Sequence, residues 1–307
     1  MTKIEAIKLG SGDEMITGLY APSADLQPKA LIVAIHGGSF SSKYYYLEST
    51  ATNSLLKLGS DMGYSVIAID RPGYRAVGEK GLAFDTQLPI LQKVISRAYE
   101  KYGEDSAGVF LVGHSIGAMI SILLAAEKKV VPLLGMDVSG AGLAFHSVAK
   151  EVIKKSISHG RLNIDPKVKL SLHWGPDWTF SQDVLKECLD TFHTKSPEIE
   201  AVDALSWEKR VLIEGPRVTV PVQFTIGEYD GIWDGNTRVM ERVHGIFSSS
   251  PFVAVNLQRF TAHNIHLQKV NRAFNLRTLA FLDECILYHS SAPDNYGKGF
   301  VINNDSI

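Results

Sequence analysis

Cysteine is scarce in this chain. There are two, Cys188 and Cys285, and neither stands in a Cys-x-x-Cys spacing or a Cys/His cluster, so no zinc or dithiol redox motif is present. Both fall inside apolar patterns and are expected to be reduced packing residues. A charge bias is lacking too. Lys and Arg total 31 against 33 Asp and Glu, a formal net charge of −2, which offers no basic stripe for nucleic acid or for an anionic membrane. No apolar run reaches the roughly 18–20 residues of a membrane span. Met1-Thr2-Lys3-Ile4-Glu5 lacks the apolar core of a secretory signal, so the expected location is cytoplasmic. No internal repeat or low-complexity tract is found. The pattern calls for no cofactor and no metal, and the partner it leaves is a small-molecule substrate. Oligomeric state stays open, a homodimer included.

What is present is a regular alternation. The chain has 307 residues, long for one domain but within reach of a single α/β domain carrying an insertion. Short continuous apolar runs recur at Ala30–Ile35, Ser65–Ile69, Val109–Val112, Leu133–Val138, Val222–Ile226 and Val253–Leu257. Runs this short, apolar at every position and closed by Gly/Pro turns, predict strands buried on both faces. Between them lie helical patterns at Leu47–Met62, Thr86–Tyr102, Ile116–Glu127, Thr237–Phe247 and Ile265–Leu287. Repeated strand–helix–strand units imply an α/β fold with a mostly parallel, doubly wound sheet. Lys3–Leu9 and Met15–Tyr20 flank Gly10-Ser11-Gly12-Asp13, a hairpin signal that adds two antiparallel strands at the start.

The rhythm breaks between Leu143 and Pro216. No buried strand is evident there, and Trp174, Trp178, Phe180, Phe192 and Trp207 are scattered among charges. Helices are expected at Val148–His159 and Asp183–His193. The division that follows is a core of residues 1–142 and 217–307, with a helical cap of 143–216 inserted after the sixth strand.

The chemistry centres on Gly113-His114-Ser115-Ile116-Gly117. This Gly-x-Ser-x-Gly lies between a strand and an apolar helix, where a very sharp turn would lift the serine oxygen clear of the sheet. Bulky groups two residues either side would clash, which accounts for the glycines. The turn also places the Ile116 N–H at a helix N-terminus, favourable to an oxyanion. A serine hydroxyl is a poor nucleophile at neutral pH and needs a base, which in turn needs an orienting carboxylate.

At these residues the chain resembles the α/β-hydrolase family, over roughly residues 14–142 and 217–288. The family order is serine, acid, histidine, each on the turn after a core strand. That order implies Asp230, in Ile226-Gly227-Glu228-Tyr229-Asp230, and His263, in Thr261-Ala262-His263-Asn264. The family usually has glycine before this histidine, so Ala262 is a departure. His266 is the rival base. Among acids, Asp234 reads better as part of a helix cap, Glu228 would point away, and Asp137 lies inside a strand. His114 is expected to pack the turn. The resemblance also implies an oxyanion donor after His36-Gly37-Gly38-Ser39, with Gly38 the candidate and Ser39 its alternative. Asp70-Arg71-Pro72-Gly73-Tyr74 matches a family turn and is read as structural.

The family reading implies acyl transfer from Ser115. Substrate contacts are expected from Ser39, from Tyr44 in Tyr44-Tyr45-Tyr46, and from Trp174 and Trp178 of the cap. These aromatics suggest a medium-sized, apolar or aromatic ester or thioester. Alternatives on the same triad are C–C bond hydrolysis and acyl transfer or cyclisation. A different class, a non-catalytic ligand-binding member of the fold, also stays open. A serine at the elbow argues against haloalkane dehalogenation, which uses a carboxylate there.

Overall fold

The computed structural model describes residues 3–10, 12, 15–74, 81–127, 130–191 and 196–291. Ser11 and Asp13 of the hairpin turn, Phe192, His193 and the last part of the expected core, 292–307, lie outside the described residues.

Eight strands make one sheet. They are β1 (Glu5–Leu9), β2 (Ile16–Ala21), β3 (Leu31–Ile35), β4 (Ser65–Ile69), β5 (Val109–His114) and β6 (Leu133–Ser139), then, after a short separate hairpin β7 (Ile157–Ser158) and β8 (Arg161–Leu162), β9 (Val222–Gly227) and β10 (Val253–Gln258). The order is β1-β2-β4-β3-β5-β6-β9-β10. β1 and β2 pair antiparallel, as does β2 with β4, and the other pairs of this sheet are parallel.

Continuous apolar strands are explained by burial on both faces. In β3, Leu31, Val33 and Ile35 join one apolar cluster while Ile32 and Ala34 join the other. β4 and β5 divide their residues the same way. The period-2 geometry sends alternate side chains to opposite faces, so both sets must be apolar. On the first face pack α2 (Phe84–Tyr102) and α3 (Ile116–Ala126), and on the second α1 (Leu55–Asp61) and α11 (Asn271–Ser291). β10 departs from the expected two-sided burial. It is an edge strand, half-buried along most of its length, with Leu257 exposed.

Several helices differ from the sequence pattern. Leu47–Met62 is interrupted at Ser54, which is extended and accepts the Lys57 N–H on its side chain at 3.2 Å. A 3₁₀ segment precedes it and α1 follows it, because a capping serine ends one backbone path and starts another. Thr237–Phe247 divides at Arg242 into α9 (Thr237–Glu241) and α10 (Val243–Ile246). Ile265–Leu287 begins as a 3₁₀ turn, Ile265–Leu267, and breaks at an extended Gln268 before α11.

The connection from β6 to β9 carries α4 (Ser147–Ser156), the β7–β8 hairpin, α5 (Pro166–Trp174), α6 (Gln182–Thr191), α7 (Glu198–Leu205) and α8 (Trp207–Glu214). The expected helix Val148–His159 stops early because His159 and Gly160 both take positive φ, +52° and +73°, and turn a tight hairpin. The connection shares the main core: Ile153, Trp207 and Val211 belong to the same cluster as the sheet and α3. Among the described residues no helix is long and apolar enough to cross a membrane.

Candidate active site

Ser115 occupies the turn between β5 and α3 at φ +54°, ψ −120°. A non-glycine residue at positive φ is strained, and such strain survives where the surroundings over-determine it. Here the Ser115 N–H donates to the Ser139 carbonyl at 2.8 Å, and its own carbonyl accepts from Ala118 and Met119 at 2.9 and 3.1 Å. The two flanking glycines are required by close approach. A Cβ on Gly117 would lie 1.9 Å from the Ile35 carbonyl oxygen, and one on Gly113 would lie 2.6 Å from Ala118 Cα.

A hydrogen-bond chain leads away from Ser115. His263 Nε2 is 3.0 Å from Ser115 Oγ, and His263 Nδ1 is 2.9 Å from Asp230 Oδ2. A carboxylate only accepts, so Nδ1–H donates to Asp230 and Nε2 is left to accept from the serine hydroxyl. Asp230 Oδ1 accepts the backbone N–H groups of Ile232 and Trp233 at 2.9 and 3.1 Å. Asp230 and His263 are buried, which strengthens each contact. Their turns are tied together: the Tyr229 N–H donates to the Thr261 carbonyl at 2.9 Å. Ala262, where glycine is usual, is fully buried, and its N–H donates to Gln268 Oε1 at 2.9 Å. Gln268 Nε2 donates in turn to the Trp174 carbonyl at 2.8 Å, so the break ahead of α11 anchors the histidine turn to α5.

The rival residues are engaged elsewhere. His266 is buried, donates from Nδ1 to Asn275 Oδ1 at 2.8 Å, and is pushed by burial down to a pKa of about 3. Asp234 accepts the Asn236 N–H at 2.9 Å within its own turn, and Glu228 accepts the Phe260 N–H at 2.9 Å. Asp137 is buried on β6, accepts from Gln223 Nε2 at 2.8 Å and from the Thr278 hydroxyl, and is raised by burial to a pKa of about 6. His114 is wholly buried, stacks on Tyr44 with centroids 4.6 Å apart, and is held well below its ordinary pKa by burial and then by His263.

A cavity of about 320 Å³ opens on Ser115. Gly38, Ser39, Ile116 and His263 face it from the core, and Leu162, Ile164, Leu172, Trp174, Leu185 and Ser196 from the β6–β9 connection. Of the residues expected to contact substrate, Ser39 and Trp174 line it. Tyr44 and Trp178 do not. Tyr44 is buried beneath the site, where its ring supports His114. Trp178 is half exposed on the outer face and packs edge-on against Tyr229 and Phe260. The chain reverses at Gly175, φ +65°, so Trp174 and Trp178 point to opposite sides of one turn.

Three further residues line the cavity. His173 donates from Nδ1 to the Lys169 carbonyl at 2.9 Å, lies edge-on to His263 at 5.2 Å, and is held well below its ordinary pKa by burial and then by His263. Ser196 meets Ser39, with the two Oγ atoms 3.0 Å apart. Trp233 lines the wall beside Asp230 and stacks on Phe145 with centroids 3.8 Å apart. His173 belongs to His173-Trp174-Gly175-Pro176-Asp177-Trp178, whose density of aromatics marks it in the sequence as a candidate substrate-facing loop, whereas no local pattern singles out Ser196 or Trp233.

Comparison with known proteins agrees with this fold. A model of the alpha/beta hydrolase family matches residues 32–262, well over half of the chain. No curated protein matches the chain by sequence. Among solved structures, a thermostable carboxyl esterase from Bacillus coagulans superposes with a TM-score of 0.68 at 16% identity, covering 93% of this chain and 100% of that one. A soluble variant of monoglyceride lipase from Saccharomyces cerevisiae gives 0.65 at 16% identity, covering 92% and 96%. An E-2-(acetamidomethylene)succinate hydrolase gives 0.64 at 16% identity, covering 92% and 100%. At these identities the likeness is one of fold.

Proposed function

The chain belongs to the α/β hydrolase family, and from that premise we propose that it is a serine hydrolase acting on an ester or thioester of a medium-sized, largely apolar small molecule. The observation that carries the reading is the unbroken chain Ser115 Oγ–His263 Nε2 (3.0 Å) and His263 Nδ1–Asp230 Oδ2 (2.9 Å), opening into an apolar cavity. His263 takes the serine proton as Oγ attacks the acyl carbon. Asp230 holds the imidazole tautomer and stabilises the imidazolium. The developing oxyanion is met by the N–H of Ile116, which opens α3, and by the N–H of Gly38. His263 then protonates the leaving group, and water, deprotonated by the same histidine, releases the acyl enzyme.

The substrate class rests on the cavity wall. Leu162, Ile164, Leu172, Leu185 and Trp174 supply an apolar surface, and among the described residues Lys169 is its one Lys or Arg side chain. The inserted segment 143–216 acts as the cap that sets which acyl group fits. A fluorophosphonate probe tests the proposal. Labelling of the folded protein that disappears in Ser115→Ala is the expected result, and a wild type that resists labelling and hydrolyses no p-nitrophenyl ester would sink it.

A further inference from the structure

The loop that carries Gly38 has little rigidity of its own. It contains two consecutive glycines, and Ser39 sits at φ +64°. Glycine loses the most conformational freedom on ordering, so this loop must be held by its neighbours. The holding group is a buried ionic cluster that joins Arg71 and Tyr74 of the Asp70–Tyr74 turn to Glu200.

Arg71 follows β4, and Glu200 comes from α7 in the β6–β9 connection. Their side chains have no exposure to solvent. Arg71 Nη1 donates to Glu200 Oε1 at 2.5 Å and to Gln87 Oε1 at 3.0 Å. Nη2 donates to Glu200 Oε2 at 3.1 Å and to the Gly37 carbonyl at 3.4 Å, and Nε donates to the His36 carbonyl at 2.9 Å. All five guanidinium donors are thereby used, two of them on the loop itself. The Arg71 backbone N–H donates to His36 Nε2 at 3.1 Å. Glu200 also accepts from the Tyr74 hydroxyl at 2.7 Å, and that hydroxyl accepts the Ser39 N–H at 3.4 Å. On the far side, the Ser196 N–H donates to Ser39 Oγ at 3.0 Å. The residues on both sides of Gly38 are thus tethered, and each tether leads to Glu200 or to the segment just before it.

We propose that Arg71 and Glu200 are a positioning pair for the Gly38 oxyanion donor, so that α7 of the cap completes the reactive geometry as well as covering it. This rests on the serine hydrolase reading above. A buried ion pair is weak evidence for stability, because well-packed apolar residues of similar size often stabilise as well or better. What the guanidinium adds here is its pair of bonds to the loop carbonyls of His36 and Gly37. Arg71 acts through Gly37 and Gly38 and touches no reacting atom.

The test separates positioning from stability. In Glu200→Gln, kcat for a p-nitrophenyl ester is expected to fall about 10–100-fold with KM within about twofold, a fraction of the loss seen when an oxyanion donor is deleted outright. Inhibition by a trifluoromethyl ketone, which forms a tetrahedral adduct on the serine, should weaken by the same factor. Tyr74→Phe removes one hydroxyl, leaves the ion pair in place, and should lower kcat about 3–10-fold. The joint variant Arg71→Met with Glu200→Met removes both charges at similar volume. It is expected to keep a near wild-type Tm and still lose kcat and ketone affinity together. If that folded double variant matches wild type within twofold on both, the positioning role is wrong. A wild type with no turnover and no probe labelling would instead overturn the underlying hydrolase reading.

Discussion

Asp230→Asn converts the proposed mechanism into a measurable loss. The substitution is isosteric, and the surroundings decide which way the amide faces. Oδ1 receives two backbone N–H groups, from Ile232 and Trp233. Turning the NH₂ toward them would leave two buried donors unmatched, at about 1–3 kcal/mol each. The amide oxygen therefore keeps the Oδ1 position, and the NH₂ faces His263 Nδ1. That nitrogen must now accept, so the neutral imidazole carries its proton on Nε2, the atom 3.0 Å from Ser115 Oγ. A protonated Nε2 cannot receive the serine proton. The expected fall in kcat is about 10³–10⁴-fold, equivalent to about 4–5.5 kcal/mol of lost transition-state stabilisation. KM should stay within about threefold, because Asp230 does not line the cavity. Steady-state hydrolysis of a p-nitrophenyl ester measures both, with a thermal melt to confirm an unchanged fold. A folded Asp230→Asn enzyme that retains a tenth or more of wild-type kcat would refute the tautomer argument.

Other outcomes follow from the same coordinates. Gly38→Ala would place a Cβ 2.4 Å from Ser196 Oγ and 3.0 Å from Ile116 Cδ1; overpacking of about 1–3 kcal/mol and a kcat/KM loss of about tenfold or more are expected, with partial recovery when Ser196→Ala is added. His266→Asn should leave ester hydrolysis within about threefold while His263→Ala abolishes it, since His266 is buried, bonded to Asn275 and does not line the cavity. Asp137 gives a pH signature. Burial raises its carboxyl to a pKa of about 6 from an ordinary 3.8, so the fold favours its neutral form. Its contribution is most favourable below pH about 4 and is lost as pH rises through 6. Urea titrations should show Asp137→Asn gaining on wild type by up to about 3 kcal/mol between pH 4 and 7, and a constant difference would contradict the assignment.

The elbow was legible because a strand, a sharp reversal and a helix follow one another directly from Val109 to Ala126. Glycine at 113 is required by the elbow's own Ala118, whereas glycine at 117 is required by the Ile35 carbonyl on the neighbouring strand β3. Helix boundaries were less legible where a polar side chain bonded backbone in place of the helix. Ser54 does so within its own expected helix, to the Ala51 carbonyl and the Lys57 N–H, and Gln268 does so outside it, to Ala262 and Trp174.

The sequence by itself determined the class of the molecule. Buried strands alternating with helices specify the wound sheet, and the sterics of one sharp turn mark Ser115; these are short-range facts. Asp230 and His263, on the turns after β9 and β10, were implied by the resemblance to the α/β-hydrolase family. Only the tertiary structure decided which aromatic side chains reach the cavity, with Trp174 inside and Tyr44 and Trp178 elsewhere. It alone brought Arg71 to Glu200 across 129 positions and Ser39 to Ser196 across 157. Such pairs leave no periodic trace, because an ion pair depends on where two distant backbones meet and not on the residues beside either partner.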